Sequence, residues 1–172
     1  LSFGWGLKRL EDEGKLKLLD LYIVPYSDNL VMLEERGRGR SNVMSVIGEI
    51  TRAVENIHAK HIVLDPVTSI TIHQSHAGRK RHMIGRLFQE LRKLDCTSLL
   101  TMEITPSGGD FYMEKFLADG VILLESFLDE RFRLIRTLRI EKMRGIRHDD
   151  QPRRYEITDR GIVVYHTEPA IE

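Results

Sequence analysis

The chain has 172 residues, 41% of them hydrophobic and 30% charged, the composition of one ordinary globular domain with room for a real core. Lysine plus arginine balances aspartate plus glutamate at 26 each, so no overall field draws the chain toward nucleic acid or an anionic membrane. The lone cysteine, Cys96, excludes an intramolecular disulfide, and no apolar run reaches the roughly 18 residues that span a bilayer, which together imply a reducing, cytoplasmic setting.

The opening Ser2-Phe3-Gly4-Trp5-Gly6 is aromatic and glycine-laced, and it starts from Leu1 rather than methionine, the expectation being a fragment or a processed product. Leu7 to Glu13 reads as a short helix closed by Gly14. Lys15 to Ile23 begins with alternating apolar residues and predicts a strand. Pro25 to Ser41 reads as a loop, with Gly37-Arg38-Gly39-Arg40 its most polar part. Asn42 to Lys60 is the clearest helix. Val43, Val46, Ile47, Ile50, Val54 and Ile57 form one apolar stripe, with Ser41 or Asn42 as N-cap.

Ile62-Val63-Leu64 then runs into Asp65 and Pro66. An unbroken apolar run predicts a strand buried on both faces, as in the centre of a parallel sheet. Proline has no N–H for the ladder and ends it. Ligands of such sheets sit beyond the carboxyl ends of the strands, where Asp65 falls, although an aspartate there also suits a simple turn cap. Ser69 to Gly78 reads as a polar loop. Arg79 to Leu94 predicts a second helix with Ile84, Leu87, Phe88, Leu91 and Leu94 as its stripe, and Thr97 to Ile104 the next strand. Strand, helix, strand in this order implies parallel pairing.

After the Thr105 to Asp110 loop the pattern changes. Met113 to Ala118 predicts a short helix, and Val121 to Leu124 and Phe132 to Arg144 predict strands. Tyr155 to Thr158 and Ile162 to Tyr165 form a hairpin around Asp159-Arg160-Gly161. The expected fold is α/β: a three-layer core with a mainly parallel sheet and a C-terminal antiparallel β extension, all in a single domain spanning residues 1–172.

Lys142 and Arg144 alternate with strand period, which puts both on one face roughly 6.5–7 Å apart. A point charge and a planar fork at that spacing suit a polyphosphate, but they also suit an ordinary solvated strand edge. His73-Gln74-Ser75-His76 has metal-ligand spacing but sits in a polar loop without a cysteine, and Cys96 reads as a buried thiol rather than a nucleophile.

Five segments occur in one order: Ser2-Phe3-Gly4-Trp5, Asp65 with Val67-Thr68-Ser69, Phe116 to Val121, Lys142-Met143-Arg144-Gly145 with His148, and Glu156 to Ile162. Together they resemble the KaiC branch of the RecA-type ATPases over nearly the whole chain. The resemblance implies a RecA-like fold, a homo-oligomeric hexamer, and ATP with Mg between neighbouring subunits. It implies that Asp65 is the Walker B aspartate, holding Mg through water. Lys142, Met143, Arg144, Ile146 and His148 would reach the neighbour's ATP, with Lys142 and Arg144 acting like an arginine finger in trans. Thr158 and Asp159 would line the nucleotide from the same side, Ser2 would lie near it, and Glu103 would stand where a polar γ-phosphate sensor stands.

One departure is large. No G-x-x-x-x-G-K-[ST] occurs in the chain, nor the glutamate pair that activates water in the family, so this chain alone is expected not to hydrolyse ATP. A non-catalytic module that binds a protein partner is the competing expectation. The Arg36 to Arg40 run and the Thr105 to Tyr112 loop fall where RecA-type rings place inward-facing loops, but neutral net charge disfavours nucleic acid.

Overall fold

The computed structural model describes residues 4–21, 43–71, 76–103 and 112–169. The chain falls into two compact units, Gly6–Leu117 and Leu1–Trp5 with Ala118–Glu172.

The first unit holds helix α1 (Leu7–Asp12), α2 (Val43–Ile57), strand β1 (His61–Leu64), α3 (Thr68–Thr71), α4 (Ala77–Arg92), β2 (Thr97–Leu100) and α5 (Tyr112–Leu117). Strands β1 and β2 pair in parallel, His61 opposite Thr97 and Leu64 opposite Leu100. The predicted stripes form the core. Val43, Val46, Ile47 and Ile50 of α2 and Ile84, Leu87 and Leu91 of α4 are buried with Ile62, Val67 and Ile70, while Val54, Phe88 and Leu94 pack at the edge. A stripe recurring every three or four residues needs one apolar partner surface, and the inward face of the two strands supplies it. Cys96 is partly buried, its thiol donating to the carbonyl oxygens of Ala59 at 3.2 Å and Leu94 at 3.3 Å, as a structural thiol does.

Three expectations are corrected here. Strand β1 is not buried on both faces: Ile62 is buried, but Val63 is 63% exposed and its register partner Leu99 is 56% exposed. Among the described residues, helices cover one face only, because α2 and α4 lie on the side of Ile62 and Leu64. The polar loop after Asp65 is partly helical. Val67 and Ile70 both reach the core, and the helical spacing between them forms α3, with the Ser69 hydroxyl donating to the Pro66 carbonyl at 2.7 Å. No strand forms over residues 16–21. Gly14, at φ 68°, turns the chain back so that the Lys15 and Leu16 amides close onto the Leu10 carbonyl, and Leu18 stays exposed.

The second unit is an antiparallel sheet in the order β3 (Gly120–Leu128), β4 (Leu134–Met143), β5 (Arg153–Thr158), β6 (Gly161–Pro169). Alternation is visible in β3, with Leu123 buried and Ile122 and Leu124 exposed. The β3–β4 register shifts between Val121, opposite Lys142, and Ile122, opposite Ile140, which leaves Glu141 as one extra residue in β4. The fold is therefore α/β, a parallel pair under helices with a C-terminal antiparallel sheet, as expected.

Candidate functional site

The residues proposed for chemistry divide between the two units. In the first, Asp65 follows the last residue of β1 and is exposed. Its carboxylate is oriented from the neighbouring strand. The Thr101 hydroxyl makes a short hydrogen bond to Asp65 Oδ1, and the Thr101 amide donates to the Leu64 carbonyl at 2.9 Å. The Val67 amide donates to the Thr101 carbonyl at 2.9 Å, so the turn after Asp65 is tied to the same residue. Thr101 was not singled out from the sequence, because its partner lies across the parallel register and only the pairing of β1 with β2 brings them together. Glu103 is exposed and lies beyond the end of β2.

This donor set suits magnesium and not a metal that needs an all-protein cage. Among the described residues no cluster of three or more His, Cys, Asp or Glu gathers. Magnesium binds through one or two carboxylates, waters and substrate phosphates, so one exposed, oriented carboxylate fits it. His76 caps α4 and is exposed, while His73 lies outside the described residues.

In the second unit the Lys142-Met143-Arg144-Gly145 segment leaves the sheet. Strand β4 ends at Met143, and Gly145, at φ 73°, turns the chain. Arg144 thus takes its place from a turn, not from the strand alternation that the spacing predicts. Asp119 holds it twice: its carbonyl accepts the Arg144 amide at 2.8 Å, and its Oδ1 accepts Arg144 Nη1 at 3.3 Å. Lys142 and Met143 are half-buried and Ile146 is 64% exposed.

Beyond the turn, His148 Nδ1 lies 3.0 Å from the Ile146 carbonyl, so the tautomer protonated there donates to it. Arg147, His148, Asp149 and Asp150 line a shallow hollow. The hydrogen bond from the Arg153 guanidinium, helped by the Gln151 amide, holds the Asp149 carboxyl below its ordinary pKa. Thr158 closes the β5–β6 hairpin: its hydroxyl donates to the Gly161 carbonyl at 3.0 Å and accepts the Arg160 amide at 3.2 Å. Asp159 is exposed in that turn. Lys142 and Met143 thus close strand β4, and Arg144, Ile146 and His148 follow in the turn and the segment beyond it. Ser2, the Arg36 to Arg40 run and residues 104–111 lie outside the described residues. No helix among the described residues is long and apolar enough to cross a membrane.

Comparison with known proteins identifies the family. The family profile described as "ATPase: KaiC" matches residues 1–169. The circadian clock oscillator protein KaiC of Synechococcus elongatus is 32% identical over 168 residues, which cover 95% of this chain but 31% of that protein. The chain thus spans about a third of the length of its KaiC relatives. A UPF0273 protein of Thermotoga maritima is 32% identical over 169 residues, covering 96% of this chain and 68% of that one. The crystal structure of a KaiC-like protein from Pyrococcus horikoshii OT3 superposes with a TM-score of 0.75 at 30% identity, over 95% of this chain and 66% of that chain. With a profile match that runs through both the Asp65 strand and the Lys142–Arg144 turn, the chain belongs to the KaiC family of RecA-type ATPases.

Proposed function

We propose that this chain is the ATP-binding domain of a KaiC-like ATPase that works in the cytoplasm as a homo-oligomeric, hexameric ring, with Mg-ATP held between neighbouring copies. The observation that carries this reading is the Lys142–Arg144 turn. One cation, Lys142, sits in the last residues of β4 and the other, Arg144, in the tight turn that follows, half-exposed and anchored through its main chain. That suits a group offered to another copy. Lys142 contributes a point charge and Arg144 a planar fork, both aimed at charge on the γ-phosphate of the neighbour's nucleotide. Met143, Ile146, His148, Thr158 and Asp159 line the nucleotide beside them, and Ser2 lies near it. Asp65 holds magnesium through water, which supplies positive charge against the phosphate oxygens when bound. Glu103 serves as the polar sensor. Because the chain has no G-x-x-x-x-G-K-[ST] segment, it does not turn ATP over alone.

Mixing two variants of the full-length protein tests the reading. Arg144→Ala and Asp65→Ala are each expected to lose ATP turnover, Arg144→Ala by about a thousandfold, the lower end of what an arginine finger contributes. Rings assembled from both contain interfaces where an intact Asp65 faces an intact Arg144, so mixing restores turnover in part. Mixed rings that co-assemble without recovery sink the trans role.

The missing phosphate cradle favours one second reading, a non-catalytic module that binds a protein partner through the same surfaces. Calorimetry separates the two: full-length protein that assembles but takes up no Mg-ATP is the module.

A further inference from the structure

We infer that Asp119 is the positioning residue of Arg144, fixing the guanidinium for a phosphate without touching the nucleotide itself. The inference rests on the reading of Arg144 as a phosphate-binding cation and extends it to the residue that makes the cation effective.

Three observations converge on the dipeptide Asp119-Gly120, and a fourth concerns the turn that follows Arg144. The Asp119 carbonyl accepts the Arg144 amide at 2.8 Å, which fixes the Arg144 backbone just past the end of β4. The Asp119 carboxylate accepts Arg144 Nη1 at 3.3 Å, which fixes one corner of the side chain. Gly120 stands opposite Met143 in the register, and a Cβ built on it would fall 2.8 Å from the Met143 Sδ, so the thioether packs down over the glycine and would have to shift for a larger residue. Gly145, at φ 73°, then turns the chain away. One short segment at the head of β3 thereby sets the backbone, one side-chain corner and the neighbouring methionine of the cationic turn.

The strength of the contact decides between positioning and a competing latch. A half-exposed guanidinium 3.3 Å from a carboxylate that is 72% exposed contributes little to folding. It is also weaker than a charge-assisted, bidentate Arg–phosphate pair, so a phosphate is not shut out. A guanidinium carries five N–H donors in a rigid fork, and a bond to one corner still orients the plane for the others. Ordering the fork before the phosphate arrives removes part of the entropic cost of ordering it afterwards. The main-chain bond survives truncation of the Asp119 side chain, so the backbone and side-chain roles separate experimentally.

The test is a double-mutant cycle on ATP turnover by the full-length protein. Asp119→Ala is expected to lower kcat by on the order of tenfold to a hundredfold, the scale of a misplaced catalytic group, with KM for ATP changed by less than about twofold. Asp119→Asn keeps an acceptor at Oδ1 and is expected to recover part of that loss, with ring assembly and melting temperature unchanged in both variants. In an Arg144→Ala background, Asp119→Ala is expected to add nothing, because a positioning residue has nothing left to position. A full further loss in that background overturns the inference, as does unchanged or faster turnover in Asp119→Ala alone. If Arg144→Ala itself leaves turnover intact, the phosphate role of Arg144 fails. If Arg144→Ala is inactive and Asp119→Ala is normal, only the positioning role fails. Should Asp119→Ala not assemble, the Asp119→Asn cycle carries the same comparison.

Discussion

The Thr101 hydroxyl donates across the parallel β1–β2 pair to the Asp65 carboxylate. This bond makes the proposed magnesium position more than a strand that happens to end in an acid. Thr101→Val keeps the strand and removes the donor, so Asp65 is free to rotate. Such outer partners of a metal ligand are worth about tenfold to a hundredfold in metal affinity. The magnesium concentration needed for half-maximal ATP turnover is expected to rise by about tenfold, with a stability cost of about 1 kcal/mol. An unchanged magnesium titration removes the orienting role.

Within β1 adjacent residues should differ sharply. Ile62 is buried at 8% exposure and Val63 is exposed at 63%. Ile62→Ala is expected to cost about 2–5 kcal/mol by urea unfolding of this chain, the range for a truncated core residue. Val63→Ala should cost less than about 1 kcal/mol, mostly lost strand preference. Equal costs would mean that both faces are covered.

Asp129 organises the β3–β4 hairpin tip. Its Oδ1 accepts the Arg131 amide at 2.9 Å and the Arg133 amide at 2.8 Å, and its Oδ2 accepts Arg133 Nε at 2.8 Å. The backbone bond from Arg133 is the largest of the causes that hold its pKa below 3.8. The folded carboxylate therefore binds its proton less readily than in the unfolded chain. The bonds contribute above the ordinary aspartate range and are lost as pH falls through the lowered value. The Asp129 carboxyl carbon, followed by NMR, is expected to titrate below 3.8, with Arg131 and Arg133 amide protection lost over the same interval. Asp129→Asn should remove that acid transition. Phe132, 84% exposed at φ 58°, is the residue that this loop holds outward.

Thr158 closes a turn and, in the proposed reading, also lines the nucleotide. Thr158→Val leaves the Arg160 amide and the Gly161 carbonyl without their hydroxyl partner. The hairpin is expected to lose about 1 kcal/mol, and ATP affinity of the full-length protein to fall with it. A stability loss with unchanged ATP affinity would confine Thr158 to the turn.

The two long helices were legible because a stripe repeating every three or four residues has one physical meaning, and Val43 to Ile50 and Ile84 to Leu91 are buried as that stripe requires. The hairpin around Asp159 was legible from its turn residues. Burial of β1 on both faces was not, because an apolar run records what a strand can tolerate and not what covers it. Helix α3 was hidden in polar letters, Thr-Ser-Ile-Thr, where Val67 and Ile70 alone marked the inward side. Asp65, Lys142 and Arg144 could be picked out by residue type. Their partners Thr101 and Asp119 could not, since each is brought there by pairing between strands distant in sequence.

The extra residue at Glu141 has a consequence for how tightly this motif is spaced. A supernumerary residue bends the strand that carries it and adds to the local twist. Deleting Glu141 would let β3 and β4 zip together without interruption, with Lys142 still opposite Val121 and Met143 still opposite Gly120, but the extra bend and twist just before the cationic turn would go. The turn that carries Arg144 would then leave the ribbon at a different angle with its register intact, a change that an ATP assay of the full-length protein would read.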